Sequence, residues 1–420
     1  MKEDTIVGLD IGSTEVRLVV GQRIEQNGGH LQIIGALSSP SDGISKGIVK
    51  SIDDTTSSIS SLLEKAERLI GLPIGAVYVS VNDPYVKCEK SKGVVAVGRN
   101  NGEISQEDVE RAIEAARTLN IPPNYEILHV IPIKFTVDNQ EDVKDPVGMS
   151  GIRLEVEALI VQGMSSQIKN LTKAIYRTGL NIDDLVLSSL ALGEAVLSAK
   201  QKELGVAVAG IGASTTNLAV YEEGKLIHAA VIPIGSEHIT SDIAIGLRCP
   251  INLAERVKIE HGNAVPKNFS GKEEIDITEL AKEEEVEDDI EAISKKYVAE
   301  IIEARAEEIF DRIDEQLKKI DRSGLLPAGI VLAGGGAKLA GLIEVAKDRL
   351  RLPASVGVCR NAEIIFDKVN DSKYLTALGL VIWGNVFAAK KSGRGGLAGL
   401  GNIFEGANKK LKDIFSRFAP

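Results

Sequence analysis

The sequence predicts an α/β protein that carries an α+β insertion. Three observations point there. Runs of β-branched residues alternate with amphipathic runs, one hairpin pattern recurs 200 residues later, and an apolar strand runs into three consecutive glycines.

The elements follow in chain order. Residues 6–9 and 16–20 are β-branched runs around a Gly-Ser-Thr turn and read as a hairpin. Residues 53–70 have helical apolar spacing, with Asp and Thr as capping candidates. Residues 75–81 (GAVYVSV) and 93–97 (GVVAV) read as strands. Residues 105–118 read as an amphipathic helix opened by a Ser-x-x-Asp cap. Further strands are expected at 126–135 and 153–162, and helices at 166–178, 187–200 and 298–320. The most apolar late stretch, residues 377–389, is interrupted by Gly384 and Asn385 and is too short to span a bilayer, so a buried core helix is expected there.

The repeat is specific in its positions. Residues 7–20 read VGLDIGSTEVRLVV and residues 207–220 read AVAGIGASTTNLAV. Ile11, Gly12, Leu18 and Val20 recur as Ile211, Gly212, Leu218 and Val220. Each copy is a strand, a tight Gly-Ser/Thr turn and a second strand. Two such hairpins suggest two similar half-domains facing each other.

Composition excludes several functions. The 420 residues amount to about three domain-equivalents of ordinary globular composition. Forty-nine basic against 60 acidic residues give a net charge of −11, which repels polyanions and argues against a nucleic-acid partner. Cys88, Cys249 and Cys359 are odd in number and far apart, so no disulfide framework is expected and a reducing compartment is. No HxxxH or CxxC spacing offers a zinc site, and no secretory signal is visible, so a cytosolic protein is expected unless something holds it to a membrane. Charge is uneven: residues 271–300 carry twelve acidic and four basic side chains, a net of −8, while residues 387–420 carry seven basic and two acidic, a net of +5. A basic end on an acidic molecule suggests a tail with its own partner.

Four segments could carry chemistry. In Asp10-Ile11-Gly12-Ser13-Thr14 the glycine allows close approach of a phosphate, turn N–H groups and hydroxyls can donate to it, and Asp10 could hold a hydrated magnesium ion. Alone, the segment would be read first as an ordinary hairpin turn. Gly212-Ala213-Ser214-Thr215 offers the same donors, but Gly210 stands where the first copy has Asp10. Gly334, Gly335 and Gly336 lie between a buried strand and an expected helix, where a flat ring or a phosphate could approach the backbone. Glu255 and Lys258 share one helix face and could grip a ribose and a base, or could form a solvated surface pair.

Together these segments resemble the actin-like ATPase superfamily, and the insertion narrows the likeness. Residues 127–155, ILHVIPIKFTVDNQEDVKDPVGMSGIRLE, with Ser105-Gln106-Glu107-Asp108-Val109 before them, resemble the signature subdomain of the FtsA family of bacterial cell-division actin homologues. The resemblance implies an actin-like two-lobed fold of duplicated ribonuclease-H-like domains. Residues 1–83 and 164–200 would form the first lobe, 84–163 the FtsA-type insertion, 201–386 the second lobe, 387–402 a flexible linker and 403–420 a C-terminal amphipathic helix that targets the membrane. It implies ATP or ADP, with Mg²⁺, between Asp10, Gly12, Ser13 and Thr14 on one side and Gly212, Ala213, Ser214 and Thr215 on the other, with Glu255, Lys258, Gly334, Gly335 and Gly336 around the adenosine. It further implies self-assembly and recruitment of later division proteins through the insertion, and an acidic subdomain at about 240–320 that receives the C-terminal peptide of FtsZ.

The chain departs from that pattern at the phosphates. Glu15 stands where the family's first loop usually has lysine, and its negative charge would repel a polyphosphate unless the side chain points away. Gly210 and Asn217 replace the two aspartates usual in the second loop. Loss of a charge-bearing catalytic group commonly costs orders of magnitude in rate, so nucleotide is expected to bind with little hydrolysis.

The end of the chain carries its own signal. Residues 390–402 hold five glycines in thirteen positions and read as a flexible linker. Beyond them Ile403, Phe404, Ala407, Leu411, Ile414, Phe415 and Phe418 recur at steps of three and four, with Lys409, Lys410, Lys412 and Arg417 mostly outside that stripe. An anionic phospholipid surface would bury the apolar face and attract the basic one; docking on the protein's own body or in a partner's groove is the other possibility. One such helix is a reversible anchor, and a filament presenting many would hold through avidity. With this tail, the family resemblance implies a peripheral adaptor on the cytoplasmic face of the membrane at the division septum. The alternatives are an actin-fold sugar or acid kinase, which needs a carboxylate by the second loop, and the actin-like protein of type IV pilus assembly, which leaves the insertion segment and the tail unexplained.

Overall fold

The computed structural model describes residues 5–24, 30–98, 102–118, 121–284, 292–360, 362–364 and 371–391. The tail residues expected at the membrane, from Ile403 to Phe418, lie outside the described residues.

The first lobe opens with an antiparallel meander of β1 (Thr5–Ile11), β2 (Glu15–Ile24) and β3 (His30–Pro40). A short ribbon of β4 (Ile44–Ser45) and β5 (Ile48–Val49) leads into α1 (Ile52–Ile70). The cap of α1 is Ser51, whose hydroxyl accepts from the Asp54 N–H, and not the Asp or Thr expected. β6 (Ala76–Val81) then pairs in parallel with β1.

The insertion follows as β7 (Lys87–Ala96), α2 (Gln106–Ala116), β8 (Tyr125–Val137), β9 (Gln140–Val143) and β10 (Arg153–Met164). Its antiparallel sheet has the order β7-β10-β8-β9, and α2 packs on it over a separate core that includes Val109, Phe135, Leu154, Val156 and Ile160. The expected cap of α2 is a full capping box: Ser105 Oγ accepts from the Asp108 N–H, and Asp108 accepts from the Ser105 N–H. β7 begins six residues before its expected start, because its first half is a polar edge without an apolar run.

The chain returns to the first lobe with α3 (Ser165–Tyr176), β11 (Asn181–Leu187) and α4 (Ser188–Val196). The single helix expected over 187–200 is two helices. Leu197 is extended, at φ −94° and ψ 134°, and Ser198 with Gln201 forms a new capping box for α5 (Ala199–Leu204). That local side-chain-to-backbone bonding competes with helix continuation.

The second lobe repeats the first. β12 (Val206–Ile211), β13 (Thr216–Glu222) and β14 (Lys225–Ile232) form its meander. The two leading hairpins share one register: Asp10 faces Arg17 and Ile11 faces Val16, as Gly210 faces Asn217 and Ile211 faces Thr216. α6 (Ser236–Leu247) and α7 (Ile251–His261) follow, then the small ribbon of β15 (Glu274–Asp276) and β16 (Ala292–Ser294) with α8 (Thr278–Glu283) between its strands, and the long α9 (Lys295–Lys318). β17 (Ile330–Ala333), α10 (Leu342–Leu350) and β18 (Ala354–Val356) complete a sheet of order β14-β13-β12-β17-β18. β19 (Glu363–Ile364) crosses back to extend the first sheet to β11-β6-β1-β2-β3-β19.

α11 (Leu375–Lys391) then packs on α4, β1 and β2. Ala377, Leu378, Leu380 and Val381 are fully buried, so the apolar late stretch is the core helix expected. It reaches five residues into the segment expected as linker. No helix among the described residues is long and apolar enough to cross a membrane. Gly379 lets α11 approach α4 closely: a Cβ there would lie 1.9 Å from the Ala191 carbonyl oxygen. All of α4 except Glu194 is buried, and one continuous apolar core runs from β1 and α11 through α4 to β12 and β13. The two sheets are therefore joined by packed helices and not by a bare linker.

A candidate nucleotide cleft between the lobes

Both hairpin turns open into one cleft of about 950 Å³. The first turn is closed by the Gly12 N–H donating to the Glu15 carbonyl at 3.1 Å, the second by the Gly212 N–H donating to the Thr215 carbonyl at 2.8 Å. Asp10, Gly12, Ser13 and Thr14 line one wall, and Gly212, Ala213, Ser214 and Thr215 the facing one. Glu255, Lys258, Gly334, Gly335 and Gly336 line the remainder. Residues more than 300 positions apart thus surround a single space.

The first hairpin is heavily charged. Asp10 is buried, accepts from the Ser80 hydroxyl at 2.6 Å and lies 3.5 Å from Arg17 Nη1. Both its oxygens have protein partners, so a magnesium ion here would arrive with phosphate oxygens and water as its main ligands. Glu15 neither points away nor stands bare. It accepts from Arg17 Nη2 at 3.0 Å, from Lys373 Nζ at 3.1 and 3.3 Å, and from the Ser38 hydroxyl at 3.2 Å. Burial opposes its ionisation, but Arg17 and Lys373 outweigh it and hold the carboxyl below its ordinary value of 4.5.

The second hairpin is supported by α6. The N–H groups of Ser236 and Glu237 donate to the carbonyls of Gly212 and Ala213 at 2.9 and 2.8 Å, and the Ser214 hydroxyl donates to Glu237 Oε2 at 2.6 Å. Asn217 Nδ2 donates to Asn82 Oδ1 at 2.9 Å, linking the second hairpin to the strand end of β6 in the other lobe. Asn217 is only 9% exposed, and its Oδ1 has no partner among the described residues. An unsatisfied buried acceptor lining a cleft fits a site that receives a hydrogen-bonding ligand.

Glu255 and Lys258 grip each other. Lys258 Nζ donates to Glu255 Oε2 at 2.6 Å, to Thr240 Oγ1 at 2.7 Å and to the Ser236 carbonyl at 3.3 Å, and the Thr240 hydroxyl donates to the same Glu255 oxygen. This is a buried lysine tied to α6, not a solvated pair. The three glycines have different roles. Gly334 has φ +85°, and a Cβ on it would lie 2.5 Å from the Ile211 carbonyl oxygen, whereas a Cβ on Gly335 would meet nothing within 4 Å. Gly335 is therefore the point where a flat ring can approach the backbone. The helix expected directly after the glycines is only a 3₁₀ turn, Gly335–Lys338, and α10 starts at Leu342. Sequence reasoning did not find Arg17, Asn82, Glu237 or Lys373 as cleft residues. Only Glu237 carries a local signal, as an acidic residue in the first turn of a helix.

Two lobes with matched hairpins facing one cleft define the actin-like class. Solved structures share that fold: the PilM–PilN type IV pilus biogenesis complex superposes with a TM-score of 0.64 at 18% identity, over 90% of this chain and 98% of that one. MreB5 of Spiroplasma citri bound to ADP gives 0.55 at 12%, over 92% and 98%. The family model described as "SHS2 domain inserted in FTSA" matches residues 84–162, and that described as "Cell division protein FtsA" matches residues 207–379. The cell division protein FtsA of Pseudomonas aeruginosa is 35% identical over 90% of this chain and 89% of its own length, and that of Bacillus subtilis 38% identical over 89% and 82%. The chain belongs to the FtsA family of cell-division proteins.

The Glu15 cluster predicts a pH dependence. A carboxyl whose pKa is depressed by folding contributes stability above its unfolded pKa and loses it as pH falls through the folded one. Glu15→Gln should therefore lower the unfolding temperature at pH 7, and the difference from the parent chain should persist at pH 5 and fade only below 4.5. Thermal unfolding followed by circular dichroism across that range measures it.

Proposed function

We propose that this chain is a cytoskeletal adaptor of cell division. Its body clamps ATP or ADP and assembles into actin-like filaments. Its tail, Ile403 to Pro420, ties those filaments to anionic lipid on the cytoplasmic membrane face, and its second lobe carries the FtsZ ring there while the insertion recruits later division proteins. The observation that carries the nucleotide part is the pair of equivalent hairpin turns facing one cleft. Turn N–H groups and the hydroxyls of Ser13, Thr14 and Thr215 suit phosphate oxygens, and Gly335 leaves room for a base.

The same wall argues against a phosphotransferase. Gly210 and Asn217 put no carboxylate on the second hairpin, and Glu237, which reaches it from α6, is held by Ser214. Nucleotide bound there acts as a structural wedge between lobes. For the FtsZ peptide, the exposed Ile245 on α6 (76%) and Tyr297 on α9 (46%) supply apolar contacts on the subdomain that holds them. For the membrane, the amphipathic pattern and the net charge of +5 over residues 387–420 support a lipid partner.

Two measurements test this reading. The purified full chain should bind ATP yet turn it over no faster than about once per minute, against roughly ten per second for a typical enzyme; many cycles per minute would refute the static clamp. Deleting residues 403–420 should abolish co-sedimentation with anionic vesicles, and undiminished binding would remove the tail from the account.

A further inference from the structure

The first hairpin presents two carboxylates, Asp10 and Glu15, to a cleft that on the reading above holds a polyphosphate. Unbalanced, both would oppose that ligand. Two cations meet them. Arg17 reaches Glu15 at 3.0 Å and Asp10 at 3.5 Å, and its Nε is buried without a hydrogen-bond partner among the described residues. Lys373 comes from 358 positions away and bonds both oxygens of Glu15 and the Ser38 hydroxyl.

Lys373 sits on a segment that is fixed at both ends. Asp371 Oδ1 accepts from the Lys373 N–H at 3.0 Å, and Asp371 Oδ2 pairs with Lys338 at 2.6 Å. The Ser372 hydroxyl donates to the Gly334 carbonyl at 2.8 Å. One short turn, Ser372–Tyr374, therefore spans from the glycine turn on one wall to the first hairpin on another. The Lys373 side chain is 26% exposed and lines the cleft, with its ammonium bonded to Glu15 and Ser38 at the cleft wall.

We propose that Lys373 is a nucleotide-binding residue, selective for the β- and γ-phosphates of a nucleoside di- or triphosphate. Glu15 is its tether. The carboxylate brings an ammonium from the far end of the chain to the first hairpin, and an entering polyphosphate takes over part of that ammonium's bonding while Arg17 keeps Glu15 neutralised. The proposal rests on the nucleotide reading of the cleft. Because the same turn holds the Gly334 carbonyl, phosphate contact at Lys373 and base contact at Gly335 are mechanically joined.

The test is equilibrium binding of ATP and of AMP to the full chain by calorimetry at fixed salt, for the parent, Lys373→Met, Lys373→Arg and the double variant Glu15→Gln/Lys373→Met. Lys373→Met should weaken ATP at least about tenfold while AMP stays within about twofold, and Lys373→Arg should keep ATP within about threefold, since a retained cation preserves a charge-assisted contact. The double variant should remain weaker than the parent, because removing the repulsion of Glu15 does not replace a phosphate contact. Unchanged ATP affinity in Lys373→Met, equal loss for ATP and AMP, or parental affinity in the double variant would each overturn the proposal. If Lys373→Met does not fold, Lys373→Gln, which keeps hydrogen bonds to Glu15 and Ser38, carries the same comparison. A parent chain that binds no ATP at all would overturn the nucleotide reading first and this inference with it.

Discussion

The crossing of α4 and α11 is the contact on which the rest of the molecule depends. Gly379 brings α11 against the Ala191 carbonyl, and α4 is buried between the two sheets. Tight helix packing resists small displacements, because interiors are close-packed and transmit strain. Each sheet is fixed to that spine, so the two hairpin turns at the sheet ends face one gap. A cleft built this way has walls from β1, β2, β12, β13, α6 and α7 whose relative placement is set by the apolar packing beneath them.

Upon that frame, the charges of the first wall are closely paired. On the first wall carboxylates and cations balance in a cluster of Asp10, Glu15, Arg17 and Lys373. On the second wall the facing position is a neutral amide, Asn217, that reaches across to Asn82. A neutral bridge thus links the two lobes across the cleft.

The sequence made the repeat legible because hairpin turns are local. Ile11-Gly12 and Ile211-Gly212 announce the same strand-turn-strand unit, and their ladders have the same register. The capping box at Ser105 and Asp108 was legible for the same reason. What the sequence hid is non-local or half-exposed. β3, β11 and β14 alternate polar with apolar residues too weakly to stand out, and the break at Leu197 depends on a cap formed by Ser198 and Gln201. In the site, the spacing of Glu255 and Lys258 gave a shared helix face, but their burial against Thr240 comes from another helix. Lys373 has no neighbour in sequence that hints at Glu15, so its charge looked missing from the first hairpin when it is supplied from the opposite end of the chain.

The most direct test of the central claim is a crystal structure of the chain with a non-hydrolysable ATP analogue. The account predicts the triphosphate lodged between Gly12–Thr14 and Gly212–Thr215, with the base against Gly335. Analogue density on any other surface, with both turns left in contact with solvent, would contradict it.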